Sequence, residues 1–248
     1  MIYPYHSVPL SISLVILCLN EESGLKSTYD SYKKQFIELN IDYEIIIVND
    51  GSTDKTAQIA EDIEQNDKNA IVLTNDQTMG MGYGYKRGLT KASKEYYMFA
   101  GGYSALSEQD IKRLIDGVHG NDLVLAYITH QRMRQPLRRV LSKCFTFLMN
   151  SITGLELRYY NAMVIARTSP LKQLNIRSNS YVYCAEFVAK LIKVQKCKYC
   201  EVPVTVSFDK KAKKKFKIVS NFLQAFKFFI FLFYDIYLAR PNKTTENI

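Results

Sequence analysis

The sequence predicts an α/β protein built on a doubly wound, mostly parallel sheet with helices on both faces, and three observations predict it. Apolar strand-like runs alternate with helical stretches up to about residue 126, the pattern of βαβ crossovers. The first two runs, Ser11 to Leu19 and Tyr43 to Val48, are near-continuous in β-branched and aliphatic residues, as strands buried on both faces are. Three of the first four runs end in polar or glycine-rich turns, where open α/β sheets bind their ligands.

The elements follow in order. After the first strand comes a helical stretch to about Ile37, then the second strand and a helix from Thr56 to Ile63. Ala70 to Thr74 reads as a third strand, Met79 to Lys91 as a glycine-rich turn and helix, and Tyr96 to Ala100 as a fourth strand. Helix Ser107 to Val118 and strand Asp122 to Ala126 complete this half. Beyond Pro136 the reading is helix Leu137 to Ile152, strand Met163 to Ala166, helix Ser180 to Val194 and strand Tyr199 to Ser207. No Gly/Ser-rich linker interrupts the chain. One domain over residues 1–219 is therefore expected, with a ligand-binding half at about 8–126 and a second half at about 127–219. Residues 220–248 form an aromatic helix and tail.

With 248 residues, 47% hydrophobic and 23% charged, the chain has the composition of a globular protein rather than a disordered one. The net charge of +9 is concentrated in two groups: Lys210, Lys211, Lys213, Lys214, Lys215 and Lys217, and Arg132, Arg134, Arg138 and Arg139. Localised positive charge fits an anionic partner such as phosphate or an acidic membrane surface, and equally fits a solvated loop. Nucleic acid is not expected, because no recognised module accompanies the lysines. The five cysteines, mostly within apolar stretches, suit a reducing compartment. Cys197 and Cys200 lie on a strand-like segment, whose alternation sends them to opposite faces, so no metal site is expected there. His6, His119 and His130 read as surface residues. No basic region precedes an apolar core at the N-terminus, so no signal peptide is expected. Phe228 to Tyr234 is too short an apolar run to span a bilayer.

The strand ends carry the chemistry. The first supplies Asn20 and Glu21, and the second Asn49, Asp50, Gly51 and Ser52. The turn Gly80-Met81-Gly82-Tyr83-Gly84, before a helix with Lys86 and Arg87, follows the third. A carboxylate after a parallel strand can accept hydrogen bonds from ribose hydroxyls or base N–H groups. Glycines and a helix N-terminus admit a diphosphate closely. The Asp50 to Asp54 segment also reads as a turn and helix N-cap.

Together these pieces resemble family 2 glycosyltransferases, in the branch of dolichyl-phosphate mannose synthases and bacterial polyprenyl-phosphate glycosyltransferases. The matching stretches are SLVILCLNEE, YEIIIVNDGSTDKT and MGMGYGYKRGL, then GLELRYYNAMVIAR, YCAEFVAKLIK and CKYCEVPVTVSF, in family order from residue 11 to about 208. The resemblance implies the GT-A fold and transfer, with inversion, from a UDP- or GDP-sugar to a lipid phosphate. It puts Leu17, Leu19 and Glu21 at the base pocket, and Asp50, Gly51 and Ser52 at the base or ribose. Lys86 falls near the diphosphate, Arg132 and Arg134 near the acceptor phosphate, and Glu186 at an acidic position in the second half.

Three departures qualify that expectation. Leu17 stands where the family has proline, and Asn49 where it often has aspartate. The Asp-x-Asp pair that holds Mg²⁺ or Mn²⁺ in the family would fall at Gly101, Gly102 and Tyr103, and Tyr96 to Leu106 contains no carboxylate. A hard divalent cation requires oxygen ligands, preferably charged, so Gly102 and Tyr103 are expected beside the sugar diphosphate but not as metal ligands. Lys86, Arg87 and the Arg132 group would then neutralise the leaving diphosphate. An acceptor phosphate is already ionised, whereas a sugar hydroxyl acceptor would need a general base, for which Glu186 is the first choice.

The lysine run falls where the polyprenyl-phosphate branch has a basic loop near the acceptor. The aromatic helix behind it, with Phe222, Phe226, Phe228, Phe229, Phe231, Phe233, Tyr234 and Tyr237, is expected to be amphipathic and to lie at a membrane interface. A buried packing helix or a dimer face are the alternatives, and a homo-oligomer is left open. The expectation is a cytoplasmic enzyme peripheral to the inner face of the membrane. A degenerate, non-catalytic relative acting as a binding or regulatory subunit, and a transferase with a saccharide acceptor, are the competing readings.

Overall fold

The computed structural model describes residues 9–102, 106–129, 136–180, 182–205 and 228–238. Seven strands form one sheet in the order β3-β2-β1-β4-β6-β5-β7. They are β1 (Ser11–Cys18), β2 (Asp42–Asn49), β3 (Ala70–Thr74), β4 (Tyr96–Gly101), β5 (Leu123–Ile128), β6 (Val164–Arg167) and β7 (Tyr199–Val204). The connecting helices are α1 (Leu25–Glu38), α2 (Thr56–Asn66), α3 (Met81–Lys91), α4 (Glu108–Asp116), α5 (Pro136–Thr153), α6 (Thr168–Lys172) and α7 (Tyr183–Lys193). A last helix, α8, covers residues 228–233 and closes in a π-helical turn, Tyr234–Leu238.

The strands alternate their side chains between two cores, which is why β1 and β2 read as unbroken apolar runs. Ile12, Leu14, Ile16, Ile45 and Ile47 face a core shared with α1, α2 and α4. Val15, Leu17, Ile46 and Val48 face the other, shared with α3, α5, α6, α7 and α8. Helix α3 lies close against β1 because Gly84 and Gly88 face it. A Cβ at these positions would meet Leu17 Cδ2 at 2.2 Å and Val15 Cγ2 at 2.6 Å. Tyr85 of α3 stacks on Phe187 of α7 at 5.0 Å and meets Tyr97 edge-on at 4.8 Å, so this side of the sheet has an aromatic centre.

The sheet is mostly parallel, as expected, with β6 inserted antiparallel between β4 and β5. Because β6 runs antiparallel to both, β5 and its parallel neighbour β7 point the same way as β4. The carboxyl ends of every strand but β6 therefore lie along one sheet edge.

Three details differ from the sequence reading. The short α6 was not expected. Cys144 is exposed on α5 rather than embedded. The described part of the aromatic tail is half packing helix: Phe228 and Leu232 are buried while Phe231, Phe233, Tyr234 and Tyr237 are exposed. Cys197 and Cys200 do part as expected, Cys197 into the α7 core and Cys200 against Gly117 on the other face.

Candidate nucleotide-sugar site

The strand register brings three loop starts to one level. Leu17 pairs with Val48 of β2 and with Gly101 of β4, and Cys18 pairs with Asn49. The ladder continues one step past the strands, as Asp50 N donates to Cys18 O at 2.9 Å and Gly102 N to Leu17 O at 2.5 Å. Asp50, Gly102 and the Leu19 to Glu21 turn thus surround the end of β1.

Asp50 is buried, and its carboxylate organises the turn before α3. Oδ1 accepts from Asn75 Nδ2 at 2.7 Å and from Met79 N at 2.8 Å, and Oδ2 accepts from Gly80 N at 2.9 Å. Gly80 sits at φ 95°, a left-handed backbone that suits glycine. A carboxylate offers about four acceptor positions, so three internal donors leave room for one more.

The β1 and β2 loops are zipped together. Asn20 N donates to Ser52 Oγ at 3.0 Å, Thr53 N to Asn20 Oδ1 at 2.8 Å, and Glu21 N to Thr56 Oγ1 at 2.8 Å. Gly51 turns at φ 73°, and Asn49 Oδ1 accepts from Ser52 N at 3.1 Å. The N-cap reading also holds in part, since Asp54 Oδ1 accepts from Thr56 N at 2.9 Å at the start of α2. Leu17 is buried, while Leu19 and Glu21 are half-buried. The locality is acidic: burial first, then the charges of Glu21, Asp54 and Asp50, push the Cys18 thiol up to about 12. Such surroundings favour the N–H and O–H donors of a nucleoside and repel a bare diphosphate.

The end of β4 carries no carboxylate, and its middle position, Gly102, has no room for a side chain. A Cβ at Gly102 would lie 2.8 Å from Cys18 Cβ and 3.1 Å from Glu21 Cγ, and Thr28 Oγ1 donates to its carbonyl at 3.1 Å. Among the described residues no group of three or more His, Cys, Asp or Glu side chains is arranged to hold a metal ion. Among the described residues the end of β4 offers no charged oxygen ligand to Mg²⁺ or Mn²⁺. Tyr103 lies outside the described residues.

The remaining candidates fall into two sets. Lys86 donates to Ile176 O at 3.3 Å, Arg87 to Thr74 O at 2.8 Å, and Gly82 N at the start of α3 to Asn179 O at 3.1 Å. The segment around 175–179 thus already bonds Lys86 and Gly82, while Arg87 is held at the end of β3. Glu186 holds that segment: Oε1 accepts from Arg177 N at 2.9 Å and Lys190 Nζ at 2.6 Å, and Oε2 from Ser178 N at 2.9 Å. Lys190 Nζ also meets Asp235 Oδ2 of α8 at 2.7 Å. Burial raises the Glu186 pKa, but the Lys190 charge and these donors outweigh it and hold the group below its ordinary value.

The second set is the cation-rich segments. Arg132, Arg134, Lys210 to Lys217 and the first part of the aromatic stretch lie outside the described residues. Their points of departure are nonetheless adjacent. Thr129 N donates to Val204 O at 3.1 Å, so the described residues that precede the two segments lie side by side at the carboxyl edge of the sheet. Sequence reasoning missed Asn75 and Lys190. Asn75 directly follows a strand, and Lys190 stands four residues after Glu186 on one helix, the spacing of a helical ion pair.

A family model described as Glycosyl transferase family 2 matches residues 13–174. A dodecaprenyl-phosphate galacturonate synthase of Rhizobium johnstonii is 23% identical over 237 residues, covering 94% of this chain and 70% of that protein. An undecaprenyl-phosphate 4-deoxy-4-formamido-L-arabinose transferase of Pseudomonas fluorescens is 26% identical over 66% of this chain, which spans only 47% of that protein. The glucosyl-3-phosphoglycerate synthase of Mycobacterium tuberculosis, solved with Mn²⁺, UDP and glucosyl-3-phosphoglycerate, shares the fold. Its TM-score is 0.65 at 18% identity over 94% of this chain and 82% of that one. No helix among the described residues is long and apolar enough to cross a membrane. The turn before α3 is bonded to Asp50, the β1 and β2 loops are bonded to each other beside it, and more than half of the chain fits one family model: the protein belongs to glycosyl transferase family 2.

Proposed function

We propose that the protein transfers a sugar from a nucleoside diphosphate sugar, UDP- or GDP-linked, to a lipid phosphate at the cytoplasmic face of a membrane. The observation that carries this reading is an acidic cluster at one part of the sheet edge, with the cation-rich stretches of sequence continuing from strands at another part. The ends of β1 and β2 gather Glu21, Asp50 and Asp54, and the ends of β5 and β7 lead into Arg132, Arg134 and the lysine run. Relatives named for polyprenyl phosphates support the acceptor class.

In this reading Asp50 accepts one hydrogen bond from the base or ribose, through its remaining acceptor position. Leu17, Leu19, Glu21, Gly51 and Ser52 shape the nucleoside side, and Gly102 and Tyr103 flank the sugar. No step runs through a divalent ion. Lys86 has donors beyond the one given to Ile176 and, with Arg132 and Arg134, neutralises the leaving diphosphate. The acceptor phosphate is dianionic or nearly so at pH 7 and attacks without a general base, inverting the anomeric centre.

Glu186 is then a positioning residue, since its carboxylate serves two backbone N–H groups and Lys190. That commitment disfavours a saccharide hydroxyl acceptor, which would need a base. The absence of a carboxylate pair at the end of β4 favours one competing reading, a binding subunit without transfer. The test is incubation of the full chain with labelled UDP- and GDP-sugars and undecaprenyl phosphate in vesicles, with EDTA and with Mn²⁺. Labelled lipid formed equally in both supports the proposal. Nucleotide binding without any labelled lipid would establish the binding subunit instead.

A further inference from the structure

Helix α5 is inside out. Its residues Val140, Leu141, Phe147 and Leu148 are exposed, Val140 by 58% and Phe147 by 71%, and exposed Cys144 falls between them. At helical spacing these side chains share one outward sector, while Met149 and Thr153 are buried on the opposite side. A solvated helix would present polar residues there.

Helix α8 lies beside it and has the same character. Phe145 packs against Phe228 at 6.4 Å and Phe229 at 5.7 Å, and Tyr237 Oη donates to Ile152 O at 2.8 Å. The two helices therefore run side by side in the same direction. Ile230, Phe231, Phe233, Tyr234, Tyr237 and Leu238 are exposed. The acid of α8, Asp235, is turned inward to Lys190 and Arg177. A contiguous apolar face of this size marks an interaction surface.

Charge decides what covers it. From Leu123 to Leu155 the chain has no acidic residue but has Arg132, Arg134, Arg138, Arg139 and Lys143. Each apolar helix directly follows a cation-rich segment, α5 after 130–135 and α8 after 206–227. A second copy of this chain would bring cations to cations, and so would the chain's own lysine run folded over α5. An anionic surface with an apolar interior answers both features. We propose that the joint outer face of α5 and α8 docks on a bilayer of anionic lipid, with Val140 and Phe147 entering the acyl boundary. The proposal deepens the reading of a lipid-phosphate acceptor and gives α5, not the tail alone, the membrane contact.

The protein contains no tryptophan, so Phe147→Trp in the full chain gives a single fluorescent reporter. Ile37→Trp, on exposed α1 across the sheet, is its control. With vesicles of phosphatidylcholine and about 30% phosphatidylglycerol, the reporter at position 147 is expected to shift to the blue and the control to stay. Vesicle binding is expected to weaken in high salt and to fall ~10-fold or more in Val140→Glu/Phe147→Glu. Circular dichroism checks that this variant is folded.

No shift at position 147 with vesicles that do bind the chain would overturn the proposal. A concentration-dependent shift without lipid would replace it with a dimer. Failure of sugar transfer with the shift intact would sink the proposed function and leave this surface standing, and transfer without the shift would do the reverse.

Discussion

The ammonium of Lys190 lies 2.7 Å from Asp235 and 2.6 Å from Glu186, joining the last helix to the segment that packs on α3. All three side chains are nearly withdrawn from solvent. Lys190 adds a bond to Asn175 O at 2.8 Å, and Arg177 reaches Asp235 at 2.8 Å. Glu186 in turn fixes the amides of Arg177 and Ser178, behind the Asn179 carbonyl that accepts from Gly82. The outer apolar helix and the mouth of the candidate site thus share one buried charge network.

Lys190→Met removes the cation and leaves two buried carboxylates facing each other. Breaking a buried pair costs about 3–5 kcal/mol, and the loss should appear in urea unfolding at neutral pH. Hydrogen exchange at Arg177 and Ser178 should quicken with it. A variant as stable as the parent would mean that this network does not hold α8 in place.

The same network predicts an acid response. The folded Glu186 titrates below its ordinary value of 4.5, because Lys190 and the backbone donors outweigh burial. A depressed carboxylate contributes stability that is complete above the unfolded pKa of about 4.3 and is lost as pH falls through the folded value. Stability measured from pH 6 downward should therefore decline more steeply in the parent than in Glu186→Gln, the difference opening below about pH 4.3. Parallel curves would remove Glu186 from the acid response.

The sequence made β1 and β2 legible because both faces of these strands are buried, so periodicity disappears and a solid aliphatic run remains. Asp50 was legible as the carboxylate two residues past such a run. The direction of β6 was not, since Met163 to Ala166 carries strand propensity but no sign of which way the chain returns from α5. Glu186 was legible as an acidic residue on a helix, and its role was not. Its partners are the backbone of Arg177 and Ser178, an ammonium one turn on, and through that ammonium the distant Asp235. Lys86 shows the same limit, because the Ile176 carbonyl that it meets comes from the second half of the chain.

Tyr183 offers a stabilising change. Its hydroxyl is buried with only the weakly hydrogen-bonding thiol of Cys184 to meet it among the described residues, and its ring contacts Tyr85 at 5.1 Å and Phe99 at 5.7 Å. Tyr183→Phe keeps those ring contacts and removes a poorly satisfied group, where an unsatisfied one costs about 1–3 kcal/mol. Thermal unfolding should occur at the same temperature or higher. A lower melting temperature would show that the hydroxyl has a stronger partner in the folded protein.

The end of β4 makes the metal question testable in both directions. Gly102 is required by its neighbours, since a side chain there meets Cys18 and Glu21, whereas Gly101 is exposed. Carboxylates can therefore be added on either side of Gly102 without filling its contact. In the parent, the affinity for the better of UDP and GDP, measured by calorimetry, should be the same in EDTA and in Mn²⁺. Gly101→Asp/Tyr103→Asp supplies charged oxygen ligands of the kind a hard cation prefers, and its nucleotide affinity should rise ~10-fold with Mn²⁺, about 1.4 kcal/mol. Gly102→Ala should weaken folding or binding with either ion, because the clash is steric. If EDTA abolishes nucleotide binding by the parent, a metal is held by ligands other than an Asp-x-Asp pair, and the proposed neutralisation of the diphosphate by Lys86, Arg132 and Arg134 does not suffice.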